Sequence, residues 1–255
     1  MAKIVACYKW VLDEADIKIN SDSSVDMSKA KGKISDYDRN AIEAAVKLAE
    51  VTKDKPVGLT FGSSKAKQSL KDALSRGLEE AFWVKAEEAE TADGAVTARA
   101  LAAGVKAMGD VSLVICAEGA SDTYARQTAP RIGALLDLPV VTSIAQISIE
   151  GNTVTAVRKL DDCMETVRFD MPAVIAVLPE AFQPTIPGLK AVMAAGKKPV
   201  TEYNPGDLGV DLAARRQVAE VKAYAQERRN EIIEGEDAAT KVAGLVASLK
   251  KEGVL

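Results

Sequence analysis

The sequence predicts an α/β fold, a doubly wound and mostly parallel sheet with an antiparallel meander and an extended C-terminal arm. Two observations support this prediction. Over residues 4–177, short runs of β-branched residues alternate with segments of helical period, which is typical of a parallel sheet covered by helices. Over residues 144–168, the apolar period changes to two, which indicates antiparallel strands joined by tight turns.

Five apolar runs predict the parallel strands, and their near-continuous apolar character suits strands that are buried on both faces. They span residues 4–9, 57–61, 81–85, 113–117 and 173–178. Between the first two, Ser35 and Asp38 have the S-x-x-D spacing of a capped helix start. Apolar residues then recur every three or four positions, and we expect Glu43, Lys47 and Glu50 on the face opposite the sheet.

Further helices are predicted over about 64–76, 92–108 and 189–195, and Gly77 follows the first of them where a left-handed residue is favoured. Another helix should begin near residues 125–127, because Pro130 cannot lie deep inside it. From residue 201 to about 235 no core periodicity is found, and 215–216 and 227–229 are strongly charged. A final amphipathic helix carries an apolar stripe made of Ala238, Val242, Leu245 and Leu249.

Composition excludes several classes of protein. The 255 residues include 33 basic and 37 acidic side chains, and this small acidic excess gives no attraction to nucleic acid or to anionic lipid. No apolar run reaches the length of a membrane span, and the N-terminus lacks the apolar region of a signal peptide. We therefore expect a cytoplasmic protein that neither binds nucleic acid nor inserts into a membrane.

Histidine is absent from the sequence, which excludes an imidazole base, a histidine-ligated metal and a histidine proton shuttle. The cysteines, Cys7, Cys116 and Cys163, are dispersed, so reduced thiols are expected rather than a disulfide framework or a thiolate metal site. No pair of side chains forms a convincing catalytic acid and base. This favours ligand binding, or chemistry supplied by a cofactor.

Ligands of such sheets bind beyond the carboxyl ends of the strands. The candidate loops follow Lys9, Phe61 and Ala117, together with the turn at Asp38. Residues 62–64 form either an anion site or a plain strand-to-helix turn. The third loop is either a nucleotide site or a solvated loop, and neither a P-loop nor a G-x-G-x-x-G motif is present.

Several motifs together resemble one family over nearly the whole chain. They are the opening strand with Cys7-Tyr8-Lys9 and Asp13, the helix entry 34–38 with 40–45, the run of Arg158, Asp161, Asp162, Glu165 and Val167, then Pro172 with 174–176, and the block 204–209. Cys163 departs from the glycine or acid usual at its position. In these motifs the chain resembles the β subunit of electron transfer flavoproteins, including the branch called FixA.

The resemblance implies a Rossmann-like fold of the adenine nucleotide alpha hydrolase-like type. It also implies a non-catalytic electron-carrier subunit that forms a heterodimer with an α subunit, which holds the redox-active FAD. The β subunit of this family binds AMP or, in electron-bifurcating members, a second FAD. Electrons would pass from acyl-CoA dehydrogenase-like flavoproteins to a quinone oxidoreductase or another acceptor.

The nucleotide site is also implied by the resemblance. It comprises Cys7, Ser35, Asp36, Tyr37, Asp38, Phe61, Ala117, Glu118, Gly119, Ala120, Ser121, Asp122, Thr123, Tyr124, Ala125, Arg126, Gln127 and Thr128. Between Asp122 and Gln127 the residues fit neither the AMP-type nor the bifurcating pattern, so both nucleotides stay open. Tyr37 matches a position near the flavin of the α subunit, or else packs on its own helix.

The segment 183–195 resembles the recognition loop that anchors dehydrogenase partners, with Ile186 as the inserted apolar residue. Burial of Ile186 within the chain's own dimer is the alternative.

We expect residues 1–200 to form the nucleotide-binding domain, and residues 201–255 to form an arm and helix that pack on the α subunit. Alternatives to the carrier are a bifurcating subunit with NADH as donor, a stand-alone universal-stress-type protein, and an ATP-cleaving ligase or pyrophosphatase, which the missing Ser-Gly-Gly loop disfavours.

Overall fold

The computed structural model describes residues 1–224 and 230–255. The charged run 227–229 noted in the sequence lies outside these residues. The strands are β1 (Lys3–Cys7), β2 (Trp10–Leu12), β3 (Lys18–Ile19), β4 (Val25–Asp26), β5 (Gly32–Ile34), β6 (Lys55–Gly62), β7 (Glu80–Lys85), β8 (Val111–Ala117), β9 (Val140–Glu150), β10 (Thr153–Lys159), β11 (Met164–Asp170), β12 (Ala173–Val177) and β13 (Val200–Tyr203). The helices are α1 (Asp36–Thr52), α2 (Lys67–Ser75), α3 (Gly94–Met108), α4 (Thr128–Leu136), α5 (Leu189–Ala195) and α6 (Ala238–Lys251).

A nine-stranded sheet forms the centre of the fold, in the order β11-β10-β9-β12-β8-β1-β6-β7-β13. Neighbouring strands from β9 through β12 to β13 are parallel, whereas β9, β10 and β11 form an antiparallel meander. From β1 the chain winds outward through β6 and β7, and it then returns to the other side of β1 with β8. The switch point of the sheet therefore lies between β1 and β8. This confirms the predicted doubly wound, mostly parallel sheet with its meander.

Two apolar clusters cover the two faces of the sheet. In β1 and β8, Ile4 and Ile115 face the cluster formed with α1 and α2, whereas Val5 and Val114 face the cluster formed with α3 and α4. Because side chains of a strand alternate between faces, a strand covered on both sides is apolar at every position. Full burial of one such side chain contributes about 1.5–3 kcal/mol, so these strands fix the core.

Local signals at the helix ends agree with the structure in three places. Asp93 caps α3 by accepting 2.9 Å hydrogen bonds from the N–H groups of Ala95 and Val96. Gly77, after α2, has a φ of 108°. α4 begins at Thr128, one residue later than expected, and Pro130 then lies in its first turn, where a missing N–H costs nothing.

Two expectations from the sequence are wrong. Glu43 is buried with only 6% of its surface exposed, because a later loop covers that part of α1. Residues 200–203 are not irregular but form β13, which pairs with β7 at the edge of the sheet. There the ring of Tyr203 stacks on Phe82 at 5.8 Å between centroids. This strand lacks a sequence signal because it is short and alternates exposed and half-buried residues.

The chain beyond β13 contacts the main domain as far as residues 222–223, where Lys222 forms a β-bridge with Ser24 and the Ala223 N–H donates to the Ser23 carbonyl at 2.9 Å. Arg99 of α3 donates hydrogen bonds to the carbonyl oxygens of Asp211 and Ala213, at 3.0 and 3.1 Å. The predicted C-terminal helix is present as α6, and it has no buried residue. Across both described ranges, no helix combines the length and the apolar content needed to cross a bilayer.

Candidate functional site

A cavity of about 310 Å³ opens at the carboxyl ends of β1, β6 and β8. Its floor comes from Cys7, Phe61 and Cys116, and its walls come from the beginnings of α1 and α3 and from the loop 117–128. Doubly wound sheets bind their ligands at this switch point. A wider cleft of about 540 Å³ lies on the meander. The wider cleft is more open and lies away from the strand ends. The smaller cavity is therefore the candidate site.

The floor of the cavity is largely apolar. Cys7 and Cys116 end the two central strands and are both buried free thiols. The hydrogen bond that the Cys116 thiol donates to Cys7, together with burial, raises the pKa of Cys116. The Cys116 thiol therefore stays protonated at neutral pH. Cys7, Cys116 and the ring of Phe61 together offer a surface on which a flat ligand could lie.

Asp38 is the buried carboxyl of the cavity wall. It lies in the first turn of α1, and its Oδ2 accepts a 2.8 Å hydrogen bond from the backbone N–H of Lys9. Burial raises the pKa of Asp38 to about 8, and the charge of Asp122 acts in the same direction. Near neutral pH this carboxyl keeps a proton, so it can donate a hydrogen bond as well as accept one.

Two cations lie at the cavity. Lys9 forms an ion pair with Asp122, and Arg126 pairs with Glu118 at 3.1 Å. The side chains of Lys9 and Arg126 are 46% and 61% exposed, so an incoming anion can reach them. The start of α4 at Thr128 has no side-chain cap, which leaves backbone N–H groups available. These are the groups that bind phosphate at helix N-termini.

The loop 117–128 has an unusual backbone. Tyr124 and Arg126 have φ values of 45° and 55°, a left-handed conformation that costs free energy for residues other than glycine. The ring of Tyr124 lies 5.2 Å from the ring of Tyr37, between centroids, and Arg126 lies over its other side. Gly119 lies against the Tyr124 ring, and a glycine is needed at this position because a Cβ would lie 2.8 Å from that ring.

Ser35 contributes to the loop rather than to its own helix. It is the N-cap residue of α1, but its hydroxyl makes no capping hydrogen bond. Instead its Oγ accepts a 3.2 Å hydrogen bond from the N–H of Ser121. The helix entry and the loop 117–128 are thereby joined across the top of the sheet.

The structure brings most of the predicted nucleotide-site residues to one cavity. Those that line it are Cys7, Asp38, Phe61, Ala117, Glu118, Gly119, Ala120, Thr123, Ala125, Arg126, Gln127 and Thr128. Those outside the lining are Ser35, Asp36, Tyr37, Ser121, Asp122 and Tyr124. The second group lies beside the first: Ser35 holds Ser121 and Tyr37 packs on Tyr124, whereas Asp122 pairs with Lys9, which itself lines the cavity.

The cavity is also lined by residues that the sequence did not assign to the site. The additional residues are Tyr8, Lys9, Ala89, Ala92, Asp93, Gly94, Thr97, Leu101 and Cys116. The rule that ligands bind at the carboxyl ends of parallel strands could have identified Lys9 and Cys116, because each lies at the carboxyl end of a central strand. The α3 residues carry no local signal, since their approach to the cavity depends on how α3 crosses the sheet.

The segment around Ile186 contacts α1 at Glu43, through Thr185. Ile186 is 90% exposed between Pro184 and Pro187, and Leu189 and Met193 of α5 are 78% and 69% exposed. Large apolar side chains clustered at a surface favour contact with another protein.

A match to a known protein family includes both the loop 117–128 of the cavity and the segment at Ile186. The family model described as the electron transfer flavoprotein domain matches residues 23–208, a range that includes α1, the loop 117–128, the meander and the segment at Ile186. The matched range is well over half of the chain, and the chain therefore belongs to the electron transfer flavoprotein domain family.

Proposed function

We propose that the chain is the β subunit of a heterodimeric electron transfer flavoprotein, a carrier subunit without a catalytic residue of its own. The observation that carries this proposal is the cavity at the switch point, whose apolar floor, buried Asp38 carboxyl and exposed Arg126 are groups that can hold an adenine nucleotide. Electron transfer between cofactors requires short separations rather than side-chain proton transfer. A carrier subunit therefore needs binding and positioning residues only.

The cavity residues fit the adenosine monophosphate portion that AMP and FAD share. Cys7, Phe61 and Cys116 would hold the adenine ring on the apolar floor. The protonated carboxyl of Asp38 would hydrogen-bond a polar edge of the nucleoside. Arg126 and the uncapped start of α4 would hold the phosphate.

The FAD of the α subunit would supply the redox chemistry by accepting and releasing electrons on its ring system. This chain would orient that cofactor from outside the nucleotide cavity. The rings of Tyr37, which is half-buried, and Tyr124, which is exposed, form a tilted pair, and this pair would pack against the partner's flavin and exclude water from it. Tyr37 is at the position where the family places such an aromatic ring.

The exposed loop at Ile186 would anchor an acyl-CoA dehydrogenase-like flavoprotein, with a quinone oxidoreductase as the electron acceptor. Burial of one apolar anchor in a partner's pocket contributes about 2 kcal/mol or more. That is enough to tether a partner while other parts of the complex move. Of the arm 201–255, the C-terminal helix would pack on the α subunit, because α6 leaves Val242 and Leu245 exposed at 59% and 48%; residues 201–203 instead belong to β13 of the chain's own sheet.

The test is to co-express the chain with the flavoprotein subunit encoded beside it, purify the complex, denature it and identify the released nucleotides by chromatography. One FAD and one AMP per complex would support the simple carrier, and two FAD would assign the chain to the bifurcating type, with NADH tested as donor. A stable monomer that never associates with flavin would overturn the proposal in favour of a stand-alone nucleotide-binding protein. Measurable ATP turnover would instead favour an ATP-cleaving enzyme.

A further inference from the structure

Glu43 is a buried carboxylate in the middle of α1, and its partners come from a loop 142 residues later. Its Oε2 accepts a hydrogen bond from the backbone N–H of Thr185 at 3.0 Å, and its Oε1 accepts one from the Thr185 hydroxyl at 3.1 Å. Within residues 1–224 and 230–255, Glu43 forms no ion pair. Burying a carboxylate without a cation is costly, so this side chain is not an ordinary helix-surface residue.

Asn40, almost one helical turn earlier, is buried beside the start of the same loop. Its Nδ2 donates hydrogen bonds to the carbonyl oxygens of Pro179 and Phe182, at 2.7 and 2.6 Å. Four hydrogen bonds from two side chains of α1 therefore hold the chain on both sides of Gln183 and Pro184. Three of the four contacts on the loop side are backbone groups, so they fix the path of the loop rather than its side chains.

We propose that Asn40 and Glu43 are positioning residues that fix the docking loop, defined as residues 182–188, so that Ile186 is presented to a protein partner. The proposal rests on the docking role given above for this loop. With its base held on α1 and with Pro184 and Pro187 restricting its backbone, the loop is ordered before a partner arrives. A preordered loop loses less conformational entropy on binding, which improves affinity without any additional contact.

The position of the two residues also links the loop to the cavity. Asp38, Asn40 and Glu43 lie within six consecutive residues of one helix, and a helix rises about 1.5 Å per residue. The nucleotide cavity and the docking loop are thus built on the same two turns of α1. One rigid element sets the positions of both features relative to the sheet.

The test compares four variants of the full chain in complex with its flavoprotein partner. Glu43→Ala removes both acceptors, Glu43→Gln keeps one oxygen acceptor, and Ile186→Ala removes the anchor itself. Glu50→Ala is the matched control, because Glu50 is exposed on the same helix. Its side chain accepts a hydrogen bond from Lys47, and Lys53 bonds its backbone carbonyl, which alanine keeps. The readouts are hydrogen exchange of the Thr185 amide, flavin content, and the kinetics of reduction by an acyl-CoA dehydrogenase with its acyl-CoA substrate.

For Glu43→Ala we expect at least about tenfold faster exchange of the Thr185 amide and an increase of about tenfold in KM for the carrier, because two hydrogen bonds to a charged group are lost. The kcat and the flavin content should stay at their wild-type values, which a general loss of folding would not allow. Glu43→Gln should restore most of the KM. Glu50→Ala should match the wild type in every readout.

A wild-type exchange rate or a wild-type KM for Glu43→Ala, alongside a raised KM for Ile186→Ala, would overturn the positioning role and leave the docking function intact. A wild-type KM for Ile186→Ala would discard the docking function and the positioning role with it. If Glu43→Ala does not fold, Thr185→Val addresses the contact from the loop side. Its KM should rise severalfold and should return to the wild-type value in Thr185→Ser, and a wild-type KM for Thr185→Val would count against the proposal.

Discussion

The buried carboxyl of Asp38 accepts a hydrogen bond of 2.8 Å from the backbone N–H of Lys9, at the junction of β1, α1 and the candidate nucleotide cavity. This one donor does not offset the cost of burying a charge, and burial raises the pKa of Asp38 to about 8 from an ordinary value of 3.8. The native state therefore binds a proton over a pH range in which the unfolded chain has released it.

The free energy of unfolding should fall as pH rises through this range. The contribution of Asp38 is fully present below pH 3.8 and is lost as pH rises to about 8, because unfolding releases the proton that the native state holds and a higher pH favours that release. Asp38→Asn lacks this titration, so the difference in stability between the wild type and the variant should change by about 1.4 kcal/mol per pH unit between pH 5 and 7. Urea unfolding at several pH values measures it. Parallel pH profiles for the two proteins would contradict the prediction.

Arg126 should contribute to binding of the phosphate and not of the nucleoside. A charged hydrogen bond contributes about 1.5 kcal/mol or more, so Arg126→Gln should raise the Kd for AMP about tenfold or more. The Kd for adenosine should not change. Titration calorimetry with both ligands checks this, and Arg168→Gln is the control because Arg168 is exposed on β11, outside the cavity lining. An equal loss of affinity for both ligands would show that Arg126 acts on the loop and not on the phosphate.

Ile186 should determine how tightly the carrier binds its electron donor. Loss of an anchor that contributes about 2 kcal/mol corresponds to a rise of about 30-fold in KM for Ile186→Ala, with kcat and flavin content unchanged. The matched control is Ile19→Ala. Ile19 is another exposed isoleucine, with 67% of its surface accessible, and it lies in the short β3–β4 ribbon. Steady-state reduction by an acyl-CoA dehydrogenase measures the effect. If both variants have the wild-type KM, this loop is not the docking site.

The three cysteines should differ in reactivity. Cys163 is exposed and should react with an aromatic disulfide reagent within seconds to minutes, whereas Cys7 and Cys116 are buried at the cavity floor. The raised pKa of Cys116 further lowers its thiolate fraction. Saturating AMP should slow labelling of Cys7 and Cys116 and leave Cys163 unaffected, as peptide mass analysis would show. A ligand effect confined to Cys163 would place the nucleotide elsewhere.

Much of the fold could be predicted from local pattern. Apolar runs at β1 and β8 identified central strands, the period of two over residues 144–168 identified the meander, and Pro130 placed the start of α4 within a few residues. Each of these signals depends on residues that are close in sequence, because side-chain period and backbone restriction are local properties. The rule that ligands bind beyond the ends of parallel strands identified the loops after Lys9, Phe61 and Ala117, whereas Cys7 was assigned from the family resemblance.

The sequence by itself therefore determined the central parallel strands, the meander, the main helices and the edge of the sheet at which a ligand site could form, but not β13 or the short strands β2–β5. Only the tertiary structure decided which polar groups meet there: Lys9 pairs with Asp122 across 113 positions of sequence, and Glu43 is covered by a loop 142 positions away. On a helical pattern Glu43 is indistinguishable from the exposed Glu50. The difference arises because burial depends on which distant segment the folded chain places over a helix face, and periodicity within the helix carries no information about that segment.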